Sequence, residues 1–101
     1  MRVRLTRLAR SDLLAISDHL TKQSEADADS VLRRIAQRYQ QLSLFPNRGT
    51  PRSDILAGVR MLVVERWLVL YMVGPDVVVI LRIVDGSRDL SRLSVPNDDL
   101  L

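Results

Sequence analysis

Arginine gives this 101-residue chain most of its chemical capacity, since all but one of its 15 basic residues, Lys22, are arginines. A guanidinium offers several N–H donors in one plane, which suits carboxylates and phosphates equally. Four arginines lie in or beside apolar segments of the second half: Arg60, Arg66, Arg82 and Arg88. The formal net charge is only +3. Composition alone therefore does not separate a nucleic-acid surface, a surface for acidic protein side chains, and the codon usage of a GC-rich genome.

An acid–base partner for these cations is hard to find in the sequence. Cleavage of RNA through its 2′-hydroxyl needs one group that accepts a proton and one that donates a proton to the leaving oxygen. Arginine stays protonated in proteins and serves neither purpose. His19 is the only histidine, and no tyrosine follows Tyr71. The chain also lacks cysteine, a Gly-x-Ser-x-Gly motif and a metal-ligand cluster, so we expect no metal and no cofactor.

The elements ahead of these arginines are a strand and two amphipathic helices. Residues 2–6 alternate polar and apolar side chains, which is typical of a strand. We predict a first helix over 11–23, capped by Ser11 or Asp12, and a second over 25–44. The apolar stripe of the first helix is Leu13, Ile16 and Leu20, widened by Leu14, and that of the second is Ala28, Val31, Leu32, Ile35, Tyr39 and Leu42. The two helices together predict an αα-hairpin.

Three apolar runs rich in β-branched residues follow the hairpin. They cover residues 59–64, 67–73 and 77–84, with short turn sequences between them. We predict an antiparallel meander of three strands, followed by a short closing helix over 87–93. The first strand, separated from the meander by the hairpin, is expected to join the same sheet.

The order β-α-α-β-β-β, with a closing α, predicts an α+β fold. The N-terminal αα-hairpin is expected to pack on one face of a small, mainly antiparallel sheet. We expect a single domain over residues 1–95 and a flexible tail over 96–101. No run approaches the ~18 apolar residues of a membrane span, and the start lacks the apolar region of a signal peptide. We therefore expect a cytoplasmic protein without membrane contact.

The last two strands are apolar on both faces. In the strand over 77–84, one face carries Val77, Val79, Leu81 and Ile83, and the other carries Val78, Ile80, Arg82 and Val84. One αα-hairpin covers only one face of a sheet. The second face then needs a homodimer, a partner chain or the C-terminal segment as cover, because an exposed apolar patch promotes association. We favour a binding surface with Arg82 at its centre.

The order of elements and several short segments resemble the RelE/ParE superfamily of toxins. The likeness runs from about Arg4 to Leu93 and is most specific in the last segment. The segments that carry it are Leu44-Phe45-Pro46, Arg48-Gly49, Gly58-Val59-Arg60, Tyr71, and the run from Ile80 to Asp89.

This resemblance implies the toxin of a type II toxin–antitoxin system, kept inactive by a cognate antitoxin. RelE-like members cut messenger RNA on the ribosome, whereas ParE-like members inhibit DNA gyrase by protein binding. Asp85 stands where family members often carry histidine, and no later tyrosine or histidine replaces it. This departure favours the ParE-like branch, which is not an enzyme. The alternatives are a RelE-like ribosome-dependent endoribonuclease and a decayed toxin that only binds its antitoxin.

The resemblance and the two-faced sheet together predict the site residues. The surface for antitoxin or target is expected to comprise Arg60, Arg66, Trp67, Tyr71, Ile80, Arg82, Val84 and Arg88. In the ribonuclease alternative, Arg60, Arg82 and Arg88 would act at the phosphate. Structural ion pairs for Arg60 and Arg82, and simple sheet packing for Trp67 and Tyr71, remain open. A homodimer or a toxin–antitoxin heterotetramer is the expected assembly.

Overall fold

Two helices pack on one face of a five-stranded mixed sheet in the computed structural model, which describes residues 1–96. This confirms the predicted α+β fold with its N-terminal αα-hairpin. In chain order the elements are β1 (Arg2–Leu5), α1 (Arg7–Thr21), α2 (Glu25–Gln40), β2 (Thr50–Pro51), β3 (Arg60–Val64), β4 (Trp67–Val73) and β5 (Val77–Asp85). In this part of the chain, no helix is long and apolar enough to cross a membrane. Of the predicted tail at 96–101, all but Pro96 lies outside the described residues.

The strand order in the sheet is β1-β5-β4-β3-β2. β1 runs parallel to β5, and all other neighbours are antiparallel. The meander of β3, β4 and β5 and the pairing of β1 within the same sheet are confirmed. The two-residue strand β2 was not predicted, because its Thr50-Pro51 sequence reads as loop.

The first helix begins four residues earlier than predicted, and its cap is Thr6 instead of Ser11 or Asp12. The Thr6 hydroxyl accepts a hydrogen bond from the Ala9 N–H at 3.0 Å and donates one to the Leu81 carbonyl at 2.8 Å. Thr6 is fully buried. One side chain therefore caps α1 and ties it to β5, at the point where β1 passes directly into the helix.

The second helix and the closing segment are shorter than predicted. α2 ends at Gln40 and continues as one 3₁₀ turn over Gln41–Ser43. The closing helix is reduced to a 3₁₀ turn over Leu90–Arg92, capped by the Asp89 carboxylate, which accepts from the Ser91 N–H at 3.0 Å. The last segment therefore runs mostly as extended chain, which lets it cover a longer stretch of sheet.

The main core lies between the hairpin and the sheet. Of the stripe predicted for the second helix, Ala28, Ile35 and Tyr39 on α2 and Leu42 in the 3₁₀ turn are buried, whereas Val31 and Leu32 are partly buried. Leu14, in contrast, is 68% exposed, so the predicted widening of the α1 stripe is wrong.

The second face of the sheet is sealed within the monomer. Leu70 and Leu81 are fully buried there, together with Val59 and Val79. Their cover comes from the loop before β3, through Ile55 and Leu56, and from the C-terminal segment, through Leu93 and Val95. The expectation of an open sheet face that requires a partner is therefore wrong, because the chain's own loop and C-terminal segment provide the cover.

A β-bulge changes which β5 residues share a face. Leu70 pairs with Arg82 while Tyr71 pairs with Ile80, which leaves Leu81 without a directly opposed partner in β4. The extra residue shifts the alternation by one, so Ile83 joins Ile80 in the core under the helices. The predicted face that combined Leu81 with Ile83 is therefore wrong.

Candidate functional site

Arg82 forms a buried ion pair with Asp12 of α1. Arg82 Nε and Nη2 donate to the two Asp12 carboxylate oxygens at 2.8 and 2.9 Å, and the side chains are only 9% and 14% exposed. Asp12 also accepts from the Ile83 N–H at 2.9 Å. β1 pairs with β5 only as far as Ile80. Beyond β1, the Asp12 carboxylate is therefore the hydrogen-bond acceptor for the Ile83 N–H at the β5 edge. Arg82 Nη1 donates to the Ser94 carbonyl at 2.7 Å, which fixes the C-terminal segment as well.

Arg60 and Tyr71 hold the loop that follows α2. The Tyr71 hydroxyl donates to the Pro46 carbonyl at 2.7 Å and accepts from the Gly49 N–H at 2.8 Å. Arg60 Nη1 donates to the carbonyls of Asn47 and Gly49 at 3.1 and 2.7 Å. Burial raises the pKa of Tyr71 above its ordinary value, although the Gly49 N–H and the Arg60 charge oppose that rise. Both side chains therefore act on a loop and do not form part of an open sheet face.

Arg66, Trp67 and Asp85 meet at one end of the sheet. The Arg66 guanidinium pairs with the Asp85 carboxylate and lies 5.1 Å from the Trp67 ring centre. Hydrogen bonds lower the pKa of Asp85 to about 2. The bond from the Ser87 backbone N–H has the largest effect, and the bond from Arg66 has the next largest. A small depression of about 290 Å³ joins Trp67 and Asp85 to His19. No hydrogen bond joins His19 to Asp85 within the described residues, so this cluster does not form a proton-relay pair.

The eight predicted site residues do not share one surface. Ile80 and Val84, like Trp67 and Tyr71, are buried, and Arg82 is engaged by Asp12. Arg88 is exposed beyond the end of β5. The ribonuclease set does not converge either, since Arg60 lies opposite Tyr71 on the helix-covered face whereas Arg82 lies opposite Leu70.

Sequence reasoning missed an apolar groove on the outer surface of the hairpin. It has a volume of about 490 Å³ and is lined by Arg10, Leu13, Leu14, Ser17, Leu32 and Ala36. A second depression shares Ala36 and continues along α2 through Arg33 to Leu44. The signal in the sequence that could have indicated the groove is Leu14. It lies one residue beside the α1 stripe, too far round the helix to reach the core.

Comparisons with known proteins agree with this architecture. Residues 3–90 match the family model described as the ParE toxin of the type II toxin–antitoxin system parDE. The chain is 44% identical over 64 residues to Toxin ParE3 of Caulobacter vibrioides, a match that covers 63% of this chain and 64% of the relative. A solved chain from the "Chromosomal ParDE TA system from P. aeruginosa" superposes with a TM-score of 0.75 at 30% identity, covering 84% of this chain and 95% of that one. On these grounds the chain belongs to the ParE toxin family of type II toxin–antitoxin systems.

Proposed function

We propose that this chain is a toxin that inhibits DNA gyrase by protein binding and is held inactive by a cognate antitoxin. The family match supports the toxin assignment. One observation carries the binding mechanism: two of the three predicted phosphate-binding arginines, Arg60 and Arg82, are engaged within the protein. Arg82 is paired with Asp12, and Arg60 is bonded to two loop carbonyls. Neither arginine lies beside an acid or base with which it could act on one phosphate. This favours protein binding over RNA cleavage.

We further propose that the antitoxin docks in the hairpin groove. The groove floor is apolar, and Leu14 is 68% exposed in it. Arg10 and Arg33 lie exposed along its length. An amphipathic helix with apolar residues at i, i+3, i+4 and i+7 and acidic residues on its flanks fits this surface in shape and charge.

A gyrase assay tests the activity. Purified toxin is expected to stop supercoiling of relaxed plasmid and to leave cleaved DNA complexes, and the antitoxin encoded in the neighbouring reading frame is expected to reverse both effects. Full supercoiling in the presence of excess folded toxin would contradict the gyrase proposal. Codon-phased cuts in translated messages, found by primer extension, would indicate the ribosome instead. Expression without growth arrest would indicate a toxin that has lost its activity.

The groove is tested separately with Leu14→Asp. A carboxylate on the groove floor should weaken antitoxin binding roughly tenfold or more, because it must be desolvated against apolar side chains. Growth arrest should persist and should no longer be relieved by the antitoxin. Val63→Asp is the matched control, since Val63 is also apolar and 51% exposed but lies on β3 outside the groove. Equal antitoxin affinity for the wild type and Leu14→Asp would place the antitoxin elsewhere.

A further inference from the structure

Two large apolar side chains stand exposed side by side just after α2. Leu44 is 74% exposed and Phe45 is 53% exposed. They follow the 3₁₀ turn that ends at Ser43, where the chain leaves the hairpin for the sheet. Adjacent exposed residues of this size are a feature of interaction sites, whereas single exposed apolar residues are ordinary.

The loop that carries these side chains is fixed from beneath by buried groups. Tyr71 bonds both Pro46 and Gly49, and Arg60 bonds Asn47 and Gly49. A Cβ at position 49 would lie 2.6 Å from the Tyr71 hydroxyl oxygen, so only glycine allows this close approach. A loop ordered in this way loses little conformational entropy when a partner binds it.

Arg48 completes the surface with a positive charge. Its guanidinium lies 4.6 Å from the Phe45 ring centre, and Nη1 donates to Gln41 Oε1 at 3.0 Å. Among residues 1–96 it has no carboxylate partner. Arginine and large aromatic residues are the types that most often dominate binding energy at protein interfaces.

We propose that Leu44, Phe45 and Arg48, here called the Phe45 knuckle, contact the toxin's protein target. The target is expected to present an apolar pocket for the Phe45 ring and a carboxylate for Arg48. This inference rests on the proposed function, in which the chain acts by binding a protein. Leu44 also lines the far end of the depression that continues the hairpin groove, so an antitoxin that extends there covers one member of the knuckle.

The charge and stacking on the knuckle select this occupant over two others. A second copy of the chain in a symmetric contact centred on the knuckle would bring the two Arg48 guanidinium groups together, and each copy already carries a net charge of +3. A single-stranded RNA base would find at most one face of the Phe45 ring for stacking, because Arg48 covers the other. An acidic protein surface satisfies both the exposed apolar groups and the cation.

The test uses the full-length toxin with Phe45→Ala and Arg48→Glu. Each variant should raise the concentration for half-maximal gyrase inhibition roughly tenfold or more, with an unchanged Tm and unchanged antitoxin affinity. Val63→Ala and Arg2→Glu are the matched controls, because both positions are exposed and lie outside the knuckle and the groove. Wild-type inhibition by both knuckle variants would overturn the proposal.

Growth arrest separates failure of the knuckle from failure of the gyrase assignment. If the wild type arrests growth without inhibiting gyrase, the target is a different one. Loss of arrest in both knuckle variants, at unchanged Tm and antitoxin affinity, would then still support the knuckle. Arrest at the wild-type level would overturn it. Binding of an RNA oligonucleotide that both knuckle variants lose would overturn the protein target in favour of nucleic acid.

Discussion

At the scale of single residues, the Arg82–Asp12 pair has the largest energetic consequence. Removing two charges from water costs several kcal/mol, which their attraction and the added hydrogen bonds must offset. Here the carboxylate accepts three N–H groups, two from Arg82 and one from Ile83, and Arg82 also reaches Ser94. The pair therefore orients α1, the β5 edge and the C-terminal segment together.

Asp12→Ala and Arg82→Ala should each lower the free energy of unfolding by about 3–5 kcal/mol, because each leaves its partner charged and buried. The double variant should lose less than the sum of the two. Urea denaturation of the three variants measures both effects. Arg34→Ala is the control, since the Arg34–Glu65 pair is 46% and 48% exposed and its loss should cost much less than the loss of the buried pair. Comparable losses at both pairs would refute the structural role assigned to Arg82.

Asp85 should make stability depend on pH in the acid range. Its folded-state pKa is about 2, below the ordinary 3.8, so the unfolded chain binds more protons at intermediate pH. Stability from this group is present above its ordinary pKa and is lost as the pH falls from about 4 to about 2. Asp85→Asn should make the fall of Tm in that range shallower, and Asp29→Asn, at an exposed position on α2, is the control for the loss of one carboxylate. An unaltered Tm profile for Asp85→Asn would argue against the contacts with Ser87 and Arg66.

Sequence reasoning singled out Arg82 but could not supply its partner. Asp12 lies 70 positions away, and its place near a helix start made it an equally plausible cap. The same holds for Arg60 and Tyr71, whose shared loop is fixed only once β3 and β4 pair. Residue type indicated a capacity for ionic contact, whereas the identity of each contact depended on tertiary structure.

At the scale of elements, the Thr6 hydroxyl both caps α1 and joins it to β5. Thr6→Val keeps the side-chain shape but removes the cap and the bond to Leu81, at a cost of about 2 kcal/mol or more. Ser24→Ala removes only the exposed α2 cap, a 3.3 Å bond to the Asp27 N–H, and should cost about 1 kcal/mol or less. Urea denaturation of both variants gives the comparison. Equal costs would show that the Leu81 bond contributes nothing.

The helices and strands of the hairpin and meander could be predicted because their apolar periodicity is strong. Their boundaries could not be predicted. The α2 stripe and the three strands of the meander follow directly from apolar spacing. The start of α1 was placed too late because residues 7–10 include two arginines and carry little apolar signal. The bulge at Leu81 could not be predicted either, because the strand is apolar at almost every position. It nevertheless decides which face of the sheet Ile83 occupies.

At the scale of the whole molecule, the two-faced sheet indicated correctly that two apolar layers need cover. It did not indicate what covers the second layer. Ile55 follows the polar loop residues 52–54 and Leu93 lies between Arg92 and Ser94, so no periodic apolar pattern marks either of them as a core residue. The monomer closes its second face with these segments. The partner surfaces proposed above are the outside of the hairpin and the loop after α2, where the sequence predicted no site residue.

The sealed second face leads to a prediction about association. Leu93→Ser combined with Val95→Ser removes two apolar side chains from the cover over Leu70 and Leu81. We expect a loss of about 2–3 kcal/mol in the free energy of unfolding, higher fluorescence of an apolar dye, and concentration-dependent association in size-exclusion chromatography. Ser94→Ala is the control, because only the backbone carbonyl of Ser94 contacts Arg82. A double variant that stays monomeric and binds no more dye than the control would mean that the loop containing Ile55 seals the face without the C-terminal segment.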